Sequence, residues 1–158
     1  TDPVWLWSFC VLAACAGFLL HNWPPARIFM GDAGSNFIAL VIFGIALYTV
    51  AHGHLNYVSW LILAAVFVAD ATVTLCRRML EGQSWLSAHR SHAYQRLSRR
   101  WNSHRRVTMS VMAISLAWLL PLAWLSLALP TMAGWILLVA YMPILVGVFL
   151  AGGGKVGD

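Results

Sequence analysis

Charge is what this sequence has least of. Asp, Glu, Lys and Arg make up 9% of its 158 residues, against roughly 25% in an ordinary soluble domain. A conventional water-facing surface is thereby excluded. Cysteine is scarce as well: Cys10, Cys15 and Cys76 are odd in number and lie within or at the ends of apolar runs, which excludes a disulfide framework and leaves them as small packing residues. The opening TDPVWLW has neither a basic leader nor a small-residue cleavage site, and it lacks a starting methionine, so the chain is expected to be part of something longer. No recognised nucleic-acid module adjoins the arginines, so the formal charge of +5 does not point to DNA or RNA. Low-complexity sequence is confined to the GGGK tail at residues 152–155, expected to be a flexible end.

What is present is hydrocarbon. Apolar residues reach 61% and the mean hydropathy is +0.76, with apolar runs recurring at the length a helix needs to cross a bilayer. Inside lipid each run must be helical, because an unpaired backbone group there costs several kcal/mol. The expected fold is therefore an all-α polytopic membrane protein. About five transmembrane helices are placed at residues 4–20, 36–51, 57–76, 107–129 and 131–150, with cytoplasmic loops at 21–35 and 77–106. Basic residues test this order, since short cytoplasmic loops accumulate Lys and Arg. Arg27, the cluster from Arg77 to Arg106, and Lys155 all fall on one side, which puts the N-terminus outside and the C-terminus inside. Trp5, Trp7, Trp23, Tyr57, Trp60 and Trp135 stand near span ends as interfacial anchors, whereas Trp118 and Trp124 do not fit that belt.

Polar residues stand out against this background. The stretch NWPPARIFMGDAGS (residues 22–35) carries a lone carboxylate, Asp32. Asp32 or Ser35 could cap the next helix; Asp32 could equally bind magnesium, because a hard cation bound to phosphates takes only one or two protein carboxylates. Gly31 and Gly34 would let phosphates approach the backbone. Phe29 and Trp23 suit either interfacial anchoring or stacking on a base. Asp70 lies within the apolar run WLILAAVFVADATVTLCRR, where a carboxylate is a functional candidate by default; pairing with Arg77, seven residues on, is the structural alternative. In SAHRSHAYQRLSRRWNSHRR, a helix over residues 88–100 would align His89, His92, Arg96 and Arg99 on one face. No cysteine or further carboxylate completes a zinc site there. Imidazoles beside guanidiniums suit oxyanion recognition, and a solvated basic face attracted to anionic membrane lipid is the plainer alternative. His52 and His54 sit in an outer loop with no evident partner or role.

Taken in order, NWPPARIFMGDAGS, VFVADATVTLCRRMLEG and AHRSHAYQRL resemble the polyprenyl-phosphate N-acetylhexosamine-1-phosphate transferases, glycosyl transferase family 4. The resemblance covers most of the chain. It implies a magnesium-dependent (or manganese-dependent) phosphoglycosyl transferase of a bacterial inner membrane, with its active site on the cytoplasmic face. Such an enzyme transfers an amino-sugar-1-phosphate from a UDP-sugar to undecaprenyl phosphate and releases UMP. It also implies Asp32 as metal ligand, Asn22 and Phe29 as uracil contacts, and Asp70 at an acidic site position. In the histidine loop, His92 is the expected catalytic contact to the diphosphate or sugar phosphate, with Arg90 and Arg96 as weaker candidates and His89 counted among the substrate-binding residues. That loop departs from the family's common His-x-His-His run and looks like the branch that initiates O-antigen and lipopolysaccharide synthesis. The family's adjacent aspartate pair is absent from these 158 residues, so the chain is expected to be a C-terminal portion, inactive without the N-terminal half; a second copy of the protein, as a homodimer, is a further candidate partner. The alternative is a non-catalytic scaffold or transporter fragment with a basic lipid-binding loop.

Overall fold

A computed structural model describes residues 3–82 and 92–154, all of them helical, turn or irregular, with no strand among the described residues. By internal contacts the chain divides into two units, Thr1–Tyr57 and Val58–Asp158.

The first unit is a helical hairpin of α1 (Pro3–Asn22) and α2 (Gly31–Ala51). At 1.5 Å per residue each helix is about 30 Å long, the thickness of a bilayer's hydrocarbon. Both are apolar all round rather than on one stripe, and little of either is buried: Val4 in α1, Ile45 and Thr49 in α2. Trp5, Phe9, Leu20, Phe37 and Leu40 are exposed instead, the surface expected of helices facing lipid or further apolar helices. Thr49 satisfies its hydroxyl within its own helix, donating to the carbonyls of Ile45 and Ala46. At the far end the Trp7 ring meets Tyr48 edge-on at 5.3 Å, and Tyr48 stacks on His52 at 4.0 Å. His52 Nδ1 also lies 2.9 Å from the Tyr48 carbonyl. The sequence left His52 without a partner; aromatic stacking supplies one.

The second unit is built on α4 (Ala65–Leu80) packed against α8 (Ala133–Leu150). Ala65, Ala69 and Ala140 are all but inaccessible, and small side chains of this kind let two backbones approach closely inside a membrane. Among the described residues, four helical stretches are long and apolar enough to cross a bilayer, and a fifth crossing arises if α3 (Tyr57–Leu63) and α4 count as one bent span. That span was expected to be continuous over residues 57–76; it bends by 71° between α3 and α4. Neither Pro nor Gly lies in this stretch. Contacts from elsewhere hold the bend: the Tyr141 hydroxyl donates to the Leu61 carbonyl at 2.9 Å. On the α3 side, Ser59 Oγ lies 2.9 Å from Ser126 Oγ and bonds the Ala123 carbonyl. A side chain from a neighbouring helix takes over a carbonyl of the ladder, one of the recognised causes of a kink.

The fourth expected span, 107–129, is composite: α6 (His104–Ile114), a π-helical turn over Ser115–Leu119, then α7 (Leu120–Ala128). Pro121 explains the wide turn, since it offers no N–H to the carbonyl four residues back and its ring crowds that carbonyl. The turn carries Trp118, whose indole N–H donates to the Ala140 carbonyl of α8 at 3.4 Å. That bond gives Trp118 a partner on α8 in place of a position in the interfacial belt.

Candidate active site

In the first unit, the loop between α1 and α2 is closed by a side chain. Asn22 Nδ2 donates to the Ile28 carbonyl at 2.7 Å, and the Arg27 N–H reaches the His21 carbonyl at 2.9 Å. Helix α2 starts at Gly31, five residues before the expected 36, so Asp32 stands in its first turn rather than in the loop. Neither Asp32 nor Ser35 is the cap. The N-cap position is Met30 with no side-chain cap bond, and Ser35 Oγ donates to the Asp32 carbonyl at 3.1 Å. The early start is allowed by Gly31, whose φ of +65° few other residues accept. Gly34 serves packing, because a Cβ there would lie 2.6 Å from Met30 Cγ. The Asp32 carboxylate is exposed at a helix N-terminus, where free N–H groups favour anions. Phe29 is 87% exposed and, with Met30, Phe18 and Phe37, lines an apolar groove of about 640 Å³ between α1 and α2.

In the second unit the chemistry gathers on Asp70, which is buried on α4. Its Oδ1 accepts the backbone N–H of Ala93 at 2.8 Å and the Thr74 hydroxyl at 3.2 Å, and it lies 3.7 Å from His92 Nδ1. Helix α5 (Ala93–Arg100) begins at Ala93, with His92 in extended conformation at its N-cap and no cap bond from the imidazole. Asp70 supplies the missing acceptor from a different helix, and the charge of α5's N-terminus favours a carboxylate there. The ion pair with Arg77 does not form. Arg77 instead donates from Nη1 to the Gly153 carbonyl at 2.9 Å, with its guanidinium 4.3 Å above the Phe149 ring.

His92 and Asp70 stand at one wall of a cavity of about 550 Å³ whose remaining lining is mostly apolar, including Val66, Phe67 and Val111. Tyr94 stacks on His92, with centroids 5.9 Å apart. Arg96 lies one turn into α5, its N–H donating to the His92 carbonyl. The expected helix over 88–100 is thus shorter at its start, and His92 is its cap rather than a member of its face. His89 and Arg90 lie outside the described residues. Thr74 and Tyr94 were not singled out from sequence; the i, i+4 spacing of Asp70 and Thr74 was the available signal for the first.

No three His, Cys, Asp or Glu side chains gather as a metal cage among the described residues. A single exposed carboxylate such as Asp32 fits a hard cation that draws its other ligands from phosphate and water.

Among the described residues, an all-helical, multi-pass membrane protein with an exposed carboxylate in the first turn of one helix and a histidine capping a basic helix is the class these features define. Residues 2–50 match the model of glycosyl transferase family 4. The chain is 34% identical over 119 residues to the decaprenyl-phosphate N-acetylglucosaminephosphotransferase of Mycobacterium tuberculosis, covering 66% of this chain and 29% of that protein. It is 36% identical over 111 residues to a probable undecaprenyl-phosphate N-acetylglucosaminyl 1-phosphate transferase of Bacillus subtilis, covering 69% and 30%. With the undecaprenyl-phosphate alpha-N-acetylglucosaminyl 1-phosphate transferase of Haemophilus influenzae, identity is 29% over 116 residues, covering 69% and 33%. The chain belongs to the polyprenyl-phosphate N-acetylhexosamine-1-phosphate transferase superfamily, and it spans about a third or less of the length of these relatives. No solved structure matches it significantly.

Proposed function

We propose that the protein works in transfer of an N-acetylated amino-sugar-1-phosphate from a UDP-sugar to undecaprenyl phosphate, at the cytoplasmic face of a bacterial inner membrane. UMP is released, and the lipid-linked sugar starts an envelope polysaccharide such as O-antigen. One observation carries this reading. Within the segment that matches the family, an exposed carboxylate, Asp32, opens a helix behind a left-handed glycine, and an exposed aromatic ring, Phe29, stands three residues before it.

In this reading a lipid phosphate oxygen attacks the phosphorus that bears the sugar, and the bond from that phosphorus to the UMP oxygen breaks. Magnesium, when held by Asp32, would offset negative charge on the diphosphate. Phe29 stacks on the uracil, and Asn22 holds the loop that presents it through its bond to Ile28. His92 and Arg96 donate to phosphate oxygens, and His89 and Arg90 are further candidates for the same contacts. Asp70 orients His92 by fixing the first N–H of α5.

The test is release of UMP by the full-length protein in membranes supplied with undecaprenyl phosphate and a UDP-N-acetylamino sugar. Release that depends on magnesium and on both substrates is expected. Membranes that carry the protein yet release no UMP with any UDP-amino sugar tried would overturn the reading.

A further inference from the structure

Helix α8 ends in a turn that is neither loose nor solvated. Ala151 closes the helix, Gly152 takes a left-handed φ of +79°, and the N–H groups of Gly152 and Gly153 return to the carbonyls of Phe149 and Val148. This is the Schellman arrangement, in which a left-handed residue satisfies the last carbonyls of a helix. The expected flexible tail is therefore corrected over its first three positions: Gly152, Gly153 and Gly154 are all buried. Their lack of side chains is used against α4. A Cβ on Gly154, where φ is +81°, would lie 2.8 Å from the Thr74 carbonyl oxygen and 3.0 Å from Arg77 Cβ. One on Gly153 would lie 3.3 Å from Thr74 Oγ1 and 3.5 Å from Ala93 Cβ. Arg77 clamps the turn from outside through the Gly153 carbonyl and the Phe149 face.

The turn thus lies close against Thr74, whose hydroxyl shares Asp70 Oδ1 with the Ala93 N–H. We propose that Gly153, Gly154 and Arg77 form a latch that positions His92: the glycine turn holds Thr74 against Asp70, and Asp70 holds the start of α5. None of the three touches a reacting atom; they are positioning residues. The inference rests on the reading of His92 as a phosphate contact, and its test separates the two.

Gly154→Ala, Arg77→Ala and Arg77→Lys are made in the full-length protein, with Gly134→Ala as control because a Cβ at Gly134 meets nothing within 4 Å. Misplacing a catalytic group by about 1 Å can cost on the order of 100-fold in rate. Gly154→Ala and Arg77→Ala are expected to lower kcat for UMP release by about 10-fold or more with KM for the UDP-sugar unchanged. Arg77→Lys, which keeps a donor for the Gly153 carbonyl, is expected to recover part of the loss, and Gly134→Ala to match the parent. Amide hydrogen exchange at Ala93 reads the latch without reference to activity, and should quicken in the first two variants. The same variants in a His92→Ala background are expected to cost nothing further, since residues acting through one group are non-additive. Unchanged exchange at Ala93 in Gly154→Ala overturns the latch, and so does a kcat loss of equal size with and without His92. Full activity of His92→Ala with exchange at Ala93 still quickened by Gly154→Ala removes the reading of His92 and leaves the latch as a structural device.

Discussion

The backbone N–H of Ala93 donates to the carboxylate of Asp70 across 23 positions of sequence, at 2.8 Å, so that a buried acid on one helix caps another. An acid inside a membrane protein invites a catalytic assignment. Here its visible partners are a backbone amide, a threonine hydroxyl and the edge of an imidazole.

Substitution at Asp70 separates holding from reacting. Asp70→Ala leaves the Ala93 N–H and Thr74 hydroxyl without their acceptor, a loss of about 1–3 kcal/mol for a buried group, and should lower both melting temperature and kcat. Asp70→Asn keeps an acceptor oxygen, and most of the activity is expected to survive. An Asn variant as inactive as the Ala variant, yet as stable as the parent, would give the carboxylate a direct chemical part.

Asp32 is tested by charge alone. Asp32→Asn should abolish UMP release while the protein still inserts in the membrane, because the exposed carboxylate makes no bond on which α2 depends. In the parent, chelation should stop release, and added magnesium, or manganese in its place, should restore it. Full activity of the Asn variant would end the metal role.

Phe29 offers a separate handle on the nucleotide. Base stacking on an aromatic ring is worth about 1–3 kcal/mol, so Phe29→Ala should raise KM for the UDP-sugar about 10-fold with little change in kcat. Phe29→Trp should restore affinity. A KM indifferent to both changes would return Phe29 to interfacial anchoring.

The bend between α3 and α4 has its own test. Tyr141→Phe removes only the hydroxyl that reaches the Leu61 carbonyl, a loss of about 1 kcal/mol for a typical bond. A lower melting temperature in lipid nanodiscs is expected, and an unchanged one would show that packing alone sets the bend.

The membrane helices were readable because their requirement is simple: some 20 apolar residues without a charge. Helix starts were harder. GDAGS looks like a turn, and only the left-handed Gly31 lets α2 begin inside it. The bend at residue 64 left no mark in the sequence, since the contacts that hold it come from far along the chain, such as the Tyr141 hydroxyl on the Leu61 carbonyl 80 residues before it. Likewise Arg77 and Asp70 have ion-pair spacing, but Thr74, Ala93 and Gly153 offered each a better-placed partner. Asp32, Asp70 and His92 were conspicuous as polar residues in an apolar chain; that Asp70 meets Ala93 and His92 was not, because those partners lie on another helix more than 20 positions along the sequence.

Helices α1 and α2 are apolar on every face and close their main-chain bonds within themselves. Each is therefore compatible with lipid before it meets any partner, and association inside the bilayer is a separate, second stage between preformed rods.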